Sequence, residues 1–401
     1  STLTVSNLAV GTTYFFRVGT INIADNLNFA LAGSTKTYKP PQAAPSNSKV
    51  EAVYVGSMTM SWIAVGSDNG YTLEASTSID FTTYESSVTA NGNANLLTVY
   101  NLSANTTYYL RVGGIYGSAT SYGDILSTSS LSNVVSSVQV YRMYETSSTL
   151  NWAPLPSNPL SSSAEGYLVE ASTMSNFTGD IQSSRTLGVS LSTLTVSNLT
   201  QNTTYYFRVG SLNHNGVANY VSAQSSSSLA AMPVASEFAQ VSLSSITALW
   251  QSNNNPSGTL YEAQASTDNY STVNFSSRTK NLSVLFGSGG AGNALSSNTT
   301  HYFRVRSINH NNVGSAYTGL GSTSTLANVV SGIALYRTYA ASVTVNWVAL
   351  PPSPPSASAQ GYVLYASSRS DFNGVVESSQ TTNVSLSTLT VFNLLANTTY
   401  Y

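Results

Sequence analysis

The sequence predicts an all-β protein, a tandem row of antiparallel β-sandwiches of about seven short strands each. Three observations carry that prediction. The four tryptophans, Trp62, Trp152, Trp250 and Trp347, are spaced 90, 98 and 97 residues apart. A Leu precedes an aromatic residue by six positions five times over, as Leu8/Tyr14, Leu102/Tyr108, Leu199/Tyr205, Leu295/His301 and Leu394/Tyr400, and these aromatics lie 94, 97, 96 and 99 apart. Between the markers apolar residues alternate with period two, the sign of half-buried strands, and no helical periodicity competes.

Within one period the elements follow in order. The strand carrying the Trp puts Met58, Met60 and Trp62 on one face and Thr59 and Ser61 on the other; Val343, Val345 and Trp347 repeat this. The next strand alternates as Tyr71-Leu73-Ala75, Tyr167-Val169-Ala171, Tyr261-Ala263-Ala265 and Tyr362-Leu364-Ala366. A turn written Asn-Leu-x-x-Asn-Thr-Thr then leads into a strand reading Tyr108-Leu110-Val112 or Tyr205-Phe207-Val209. Clusters of Ser, Gly, Asn and Pro punctuate the strands.

A Trp late in the second strand, Gly-Tyr-x-Val-Glu-Ala-Ser in the third and Leu-x-x-x-x-x-Tyr-x-x-x-Val entering the sixth resemble the fibronectin type III family over essentially the whole chain. The resemblance implies that Trp62, Trp152, Trp250 and Trp347 anchor the sandwich cores. It also implies that Tyr14, Tyr108, Tyr205 and Tyr400 form the tyrosine corner, each hydroxyl bonding back to upstream backbone. His301 departs from the corner pattern, so the third complete domain should have a weaker or differently bonded corner.

A second period lies above the first. Trp and third-strand Tyr are 15 residues apart at 152→167 and 347→362, but 9 apart at 62→71 and 11 at 250→261. The long connections are Pro-rich, with Pro154, Pro156 and Pro159 in one and Pro351, Pro352, Pro354 and Pro355 in the other. Short-loop domains follow the joints Lys39-Pro40-Pro41 and Met232-Pro233. Two domain types therefore alternate with a super-repeat of 195 residues. The expected division is 1–38 (the C-terminal part of a split sandwich), 39–129 (short loop), 130–229 (Pro-rich loop), 230–326 (short loop) and 327–401 (the N-terminal part of a split sandwich, Pro-rich loop). Short, Pro-stiffened linkers predict a semi-rigid rod, with roughly 30 Å per domain.

Composition narrows the function. Fourteen Lys+Arg stand against 16 Asp+Glu, a net charge of −2, and charged residues are only 7% of the 401, where soluble domains average roughly 25%. So few cations cannot neutralise many phosphates, which argues against nucleic acid, and they offer no basic face to an anionic membrane. No apolar run is long enough to insert into a bilayer. The absence of Cys removes disulfides, thiol catalysis and Cys-based zinc sites.

Candidate chemistry is sparse, and neither catalytic nor metal nor cofactor residues are expected. His214 and His310 occupy equivalent turns after the sixth strand; they read as polar turn residues rather than metal ligands. Glu74 and Glu170, the nearest thing to a carboxylate pair for glycoside chemistry, recur at matching third-strand positions of different domains and read as a solvated strand face. Gly287–Gly292 precedes no helix and is a strand connection, not a phosphate cradle. Asn105, Asn202, Asn298 and Asn397 head Asn-Thr-Thr triplets that would accept sugar in a glycosylating secretory pathway; turn chemistry is the preferred reading. Tyr109 and Tyr206, opposite the corner Tyr, either stack on sugars or a neighbouring chain, or form cross-strand pairs.

Two function classes follow. One is a non-enzymatic structural protein, a segment of an extracellular or cell-surface filament, stalk or surface layer. The other is an adhesin or carbohydrate-binding accessory module with glycans or cell-surface ligands as partners. Because divergence is shared pairwise between domains, structural repetition is favoured. Residues 1–15 match 387–401, so the text spans 386 residues and then repeats its own beginning. Residues 1 to about 38 hold the last strands of a sandwich and residues from about 327 lack the final strand. Each piece has an unpaired edge, which predicts head-to-tail self-association into a filament, by covalent continuation or by strand addition between chains.

Overall fold

The computed structural model describes residues 1–9, 11–37 and 42–401. The Lys39-Pro40-Pro41 joint and the expected boundary at 38/39 lie outside the described residues. Its regular structure is all strand apart from short 3-10 turns at Leu160–Ser162 and Pro355–Ala357 inside the two Pro-rich loops.

The second complete sandwich shows the plan. One sheet pairs Ser136–Met143 with Ser147–Ala153 and Thr193–Ser197; the other runs Ile181–Thr186, Tyr167–Ser172, Thr204–Leu212, Ala218–Ser222, with Ser226–Ser227 also on the sixth strand. All pairs are antiparallel, and the seventh strand is split in two. Period-two alternation places Leu150, Trp152, Val169, Phe207 and Val209 between the sheets. The first sandwich repeats this with Ser46–Val53, Met58–Ile63 and Leu96–Val99 against Tyr71–Ser76, Glu85–Thr89 and Thr107–Tyr116. In the third, the first strand is reduced to Val234–Ala235 and Gln240–Val241, both on Ser245–Gln251.

Gly70, Gly166 and Gly361 enter the third strand with φ of 88°, 143° and 154°. A Cβ there would lie 1.8–2.1 Å from the carbonyl oxygen of Thr89, Thr186 or Thr381. The fourth and third strands are thus brought together where only glycine fits. Each Trp then packs on the following Tyr at centroid distances of 4.9–5.7 Å, as Trp62–Tyr71, Trp152–Tyr167, Trp250–Tyr261 and Trp347–Tyr362. Such tilted pairs contribute about 0.5–1.5 kcal/mol beyond area burial.

The two ends differ from a complete unit. Residues 13–36 form a lone antiparallel hairpin, Thr13–Ile21 with Leu27–Lys36. Residues 327–401 form a three-stranded sheet (Ser331–Thr338, Val343–Val348, Thr388–Val391) and a two-stranded one (Tyr362–Ser367, Val376–Thr381). This piece lacks the sixth strand as well as the final one, because only Tyr401, hydrogen-bonded both ways to Ser367, has reached the sixth-strand position.

Candidate functional site

Three recurring constructions fix the side chains that sequence analysis singled out: the corner, an arginine stack, and the joint between sandwiches. At the corner a backbone N–H five residues upstream donates to the tyrosine hydroxyl: Ala9 to Tyr14 (2.8 Å), Ser103 to Tyr108 (2.8 Å), Thr200 to Tyr205 (2.9 Å) and Leu395 to Tyr400 (2.9 Å). Tyr108 and Tyr205 are buried; Tyr14 and Tyr400, in the open pieces, are half-buried. His301 replaces the phenol with a ring that is 2% exposed, neither nitrogen of which has a hydrogen-bond partner. Burial holds its pKa below the ordinary imidazole value. The third-strand tyrosines carry a second hook that the sequence did not announce. Tyr71, Tyr167 and Tyr362 accept from Val65, Leu155 and Leu350 N–H and donate to the carbonyls of Gly92, Val189 and Val384.

Glu74 and Glu170 are not a solvated strand face. Glu74 is 3% exposed, and its carboxylate accepts from Arg111 Nε and Nη2 at 2.8 and 2.7 Å and from Tyr122 Oη at 2.6 Å. The Arg111 guanidinium lies between the rings of Phe81 and Tyr122, 3.9 and 3.8 Å from their centroids. Arg208 repeats this with Glu170, Phe177 (4.0 Å) and Tyr220 (3.8 Å). In the third sandwich Arg304 sits between Tyr270 and Tyr317 but bonds Gln264; its Glu262 is held instead by Tyr317, Arg306 and Arg278. Burial works against the Glu262 carboxylate, yet those hydrogen bonds and the Arg306 charge keep its pKa below the usual range. Burial, then the hydrogen bond to Glu74, pushes the Tyr122 phenol up to about 12. The stacking residues Phe81, Phe177 and Tyr270 have φ of 53–69°, and Phe372, at the matching position of the last piece, has φ of 55°, unusual for aromatic residues. This constellation spends its carboxylates on structure and leaves no acid/base pair. The sequence signal was present: an Arg stands three residues after the corner aromatic at Arg17, Arg111, Arg208 and Arg304.

Three of the Asn-Thr-Thr residues, Asn105, Asn202 and Asn298, sit in joints. Asn105, Asn202, Asn298 and Asn397 have φ of 44–54°, a left-handed turn position that Asn tolerates. Asn105 Nδ2 crosses to the next sandwich, donating to Glu165 Oε1 (3.2 Å) and Leu160 O (3.4 Å) in its Pro-rich loop. Asn202 Nδ2 donates to Thr259 Oγ1 at 2.8 Å and its Oδ1 accepts from His310 N at 3.0 Å. Asn298 Nδ2 donates to Pro355 O at 3.0 Å. Asn105 and Asn202 are buried, which leaves no room for sugar on either amide; Asn397 is exposed.

The reverse contact comes from the turn after the sixth strand. Asn213 Nδ2 donates to Ser129 O and Ser130 O (3.1 and 3.0 Å), while its Oδ1 closes its own turn by accepting from Asn215 N and Val217 N. Asn309 does the same toward Ser227 O and Ser228 O. Asn219 Nδ2 and Ser211 Oγ reach Ser132 O (2.8 Å) and Asn133 O (2.5 Å). His214 and His310, next in sequence, are joint residues too: His214 Nδ1 is 3.0 Å from Glu165 Oε1 and His310 Nδ1 is 3.3 Å from Thr204 Oγ1. Among the described residues no group of three or more His, Asp or Glu side chains could hold a metal ion, and no helix is long and apolar enough to cross a membrane. Tyr206 is exposed and Tyr109 half-buried; their cross-strand partners include Ser172, Ser76 and Ser127.

Residues 133–227 match the model of the Fibronectin type III domain family. The flanking complete sandwiches repeat that segment's Trp–Tyr pair, and the first also repeats its tyrosine corner; in fold the chain is a tandem row of similar antiparallel sandwiches. Among solved structures it is similar to a two fibronectin type-III domain segment from chicken tenascin, at 16% identity and a TM-score of 0.29, covering 46% of this chain and 100% of that one. It is also similar to the FN1-FN3 domains of chicken CNTN1, at 14% identity and a TM-score of 0.21, covering 71% of this chain and 98% of that one. No curated protein matches the chain.

Proposed function

We propose that this fibronectin type III array is a non-enzymatic structural segment, a stiff spacer in an extracellular or cell-surface stalk, filament or surface layer. The observation that carries the reading is the joint. At the three junctions that follow Asn105, Asn202 and Asn298, that left-handed Asn, or the residue beside it, reaches forward into the next sandwich. At the two junctions between complete sandwiches a second Asn reaches back to carbonyls of the previous one. An amide buried between two domains costs about 1–3 kcal/mol if pulled away from its partner without water to replace it, so bending is opposed from both sides. The alternation of short and Pro-rich loops is then an alternation of joints: the Pro-rich loop supplies the backbone acceptors at Leu160 and Pro355, the short loop the Thr259 hydroxyl.

Small-angle scattering and negative-stain images of the purified chain, alongside a glycan array, test this. The expected result is one extended particle of fixed length and no saturable glycan binding. Freely articulating domains would overturn the stiff-spacer reading, and a saturating glycan signal would replace it with an adhesin.

A further inference from the structure

We infer that Asn176, in the turn between strands Tyr167–Ser172 and Ile181–Thr186 of the second sandwich, is a glycan attachment site that takes an N-linked oligosaccharide from a polyprenyl diphosphate donor. The inference rests on the extracellular reading above, because such acceptors are used in secreted proteins.

Asn-x-Ser/Thr triplets recur along the chain, and a folded domain can carry sugar only where the surface has room for it. Hydrogen bonding sorts them. At Asn105, Asn202 and Asn298 the atom that would bear the sugar, Nδ2, is the one that crosses a joint. Asn101 and Asn198 are exposed, but the Ser103 and Thr200 N–H groups of their triplets are spent on the corner tyrosines. Asn274 Oδ1 is taken by the N–H and hydroxyl of Thr267. Asn176-Phe177-Thr178 closes on itself: the Thr178 hydroxyl donates to Asn176 Oδ1 at 2.7 Å, and the Thr178 N–H donates to the same oxygen at 3.2 Å. That fixes the oxygen and leaves Nδ2 without a partner in the chain, with Asn176 and Thr178 both exposed. Asn383 comes nearest to this arrangement, and there only the Ser385 N–H reaches Oδ1.

The other repeats show that this nitrogen has no work to do in the fold. Phe81, Phe177 and Phe372 mark the same turn, and the residues before them are Asp80, Asn176 and Asp371. Asp80 Oδ1 accepts from Thr82 N and Asp371 Oδ1 from Asn373 N, both at 3.1 Å. In the third sandwich Asp268 closes the turn, accepting from the N–H and hydroxyl of Thr272 at 2.9 and 2.6 Å. A side-chain oxygen is all the turn requires, and a carboxylate supplies it as well as an amide. Asn176 adds a nitrogen that the turn does not use. Phe177 ties this turn to the sheet through its stack on Arg208 at 4.0 Å, so the acceptor stands on a fixed base.

In the transfer, Nδ2 gives up a proton and bonds to the anomeric carbon of the sugar. The bond from that carbon to the diphosphate oxygen breaks, and the polyprenyl diphosphate leaves. The product is still an amide with its carbonyl oxygen in place, so both hydrogen bonds from Thr178 survive and no joint contact is lost.

The test is peptide mass spectrometry of the folded full chain secreted from a glycosylating host, with enzymatic deglycosylation in heavy-oxygen water to mark each former acceptor as aspartate. Asn176 should carry sugar in most molecules. Thr178→Ala should abolish it and Thr178→Ser should retain it, with the unfolding curve showing that both variants fold. Asp80→Asn places the same triplet in the matching exposed turn of the first sandwich and should gain a second glycan. Folded protein with Asn176 bare, sugar that persists in Thr178→Ala, or no gain in Asp80→Asn would each overturn the inference. A bare Asn176 leaves the scattering profile of a stiff rod untouched, and freely articulating domains leave the acceptor turn untouched, so the two readings fail separately.

Discussion

Acidification should selectively weaken the third sandwich, through His301. Its imidazole is 2% exposed with both nitrogens unpartnered, and burial lowers its pKa below the unfolded value, which is about 6.5. The sign follows directly: below about pH 6.5 the unfolded chain takes up a proton that the folded domain resists. Stability is therefore full above the unfolded pKa and falls as the pH drops beneath it. The ceiling on the slope is about 1.4 kcal/mol per pH unit, so moving from about pH 7.5 to about 5.5 costs at most about 1.4 kcal/mol. That is readable against domain stabilities of about 5–15 kcal/mol. Each sandwich has its own tryptophan, so Trp62→Phe, Trp152→Phe and Trp347→Phe leave Trp250 to report urea unfolding of this domain alone. His301→Tyr in the same background should remove the His-dependent part of the pH effect. It should also gain about 1 kcal/mol if the new hydroxyl accepts from Ser296 N–H, five residues upstream as at the other corners. Equal urea midpoints at both pH values, or an undiminished acid loss in His301→Tyr, would refute the argument.

Four further outcomes are expected. Trp152→Ala should cost about 3–5 kcal/mol by cavity formation in the second sandwich, read as a lowered urea midpoint. Arg208→Met should cost about 2–3 kcal/mol by stranding the Glu170 carboxylate, less than a fully buried pair because the two side chains keep 25% and 14% of their exposure; thermal unfolding measures it. Asn202→Gly, which keeps the left-handed turn, should leave the melting of both neighbouring sandwiches nearly unchanged while broadening their relative orientations in residual dipolar couplings, and peptide mass spectrometry of folded protein secreted from a glycosylating host should find Asn105 and Asn202 bare.

Much of the fold was written along the chain. Met58, Met60 and Trp62 alternate because their strand has one buried face, and the Tyr–Leu–Ala strand answers it, so periodicity alone located both sheets. The arginine stacks were harder to see. Glu74 and Arg111 are 37 residues apart and meet only through strand register, and repetition of Glu74 at Glu170 looked like surface until the matching repetition of Arg was set beside it. The joints were least legible: nothing in Asn-Thr-Thr says that its amide will cross 55 to 60 residues of sequence to Leu160 and Glu165. The same triplet serves as turn and as sugar acceptor, and only the neighbouring domain decides between them. The unpaired His301 corner, by contrast, was visible as a broken repeat.

The chemistry of the joints bears on where the proposed spacer can work. Asn213 and Asn309 close them with neutral amides on backbone carbonyls, and the one carboxylate involved, Glu165, is partnered by Asn105 and His214. Dissolved ions screen charges over about 8–10 Å at ordinary salt but leave a neutral amide–carbonyl bond alone. The bending stiffness of the array should therefore be the same in dilute fresh water and in brine. A spacer held by surface ion pairs would soften on that passage, whereas the proposed spacer should keep its reach.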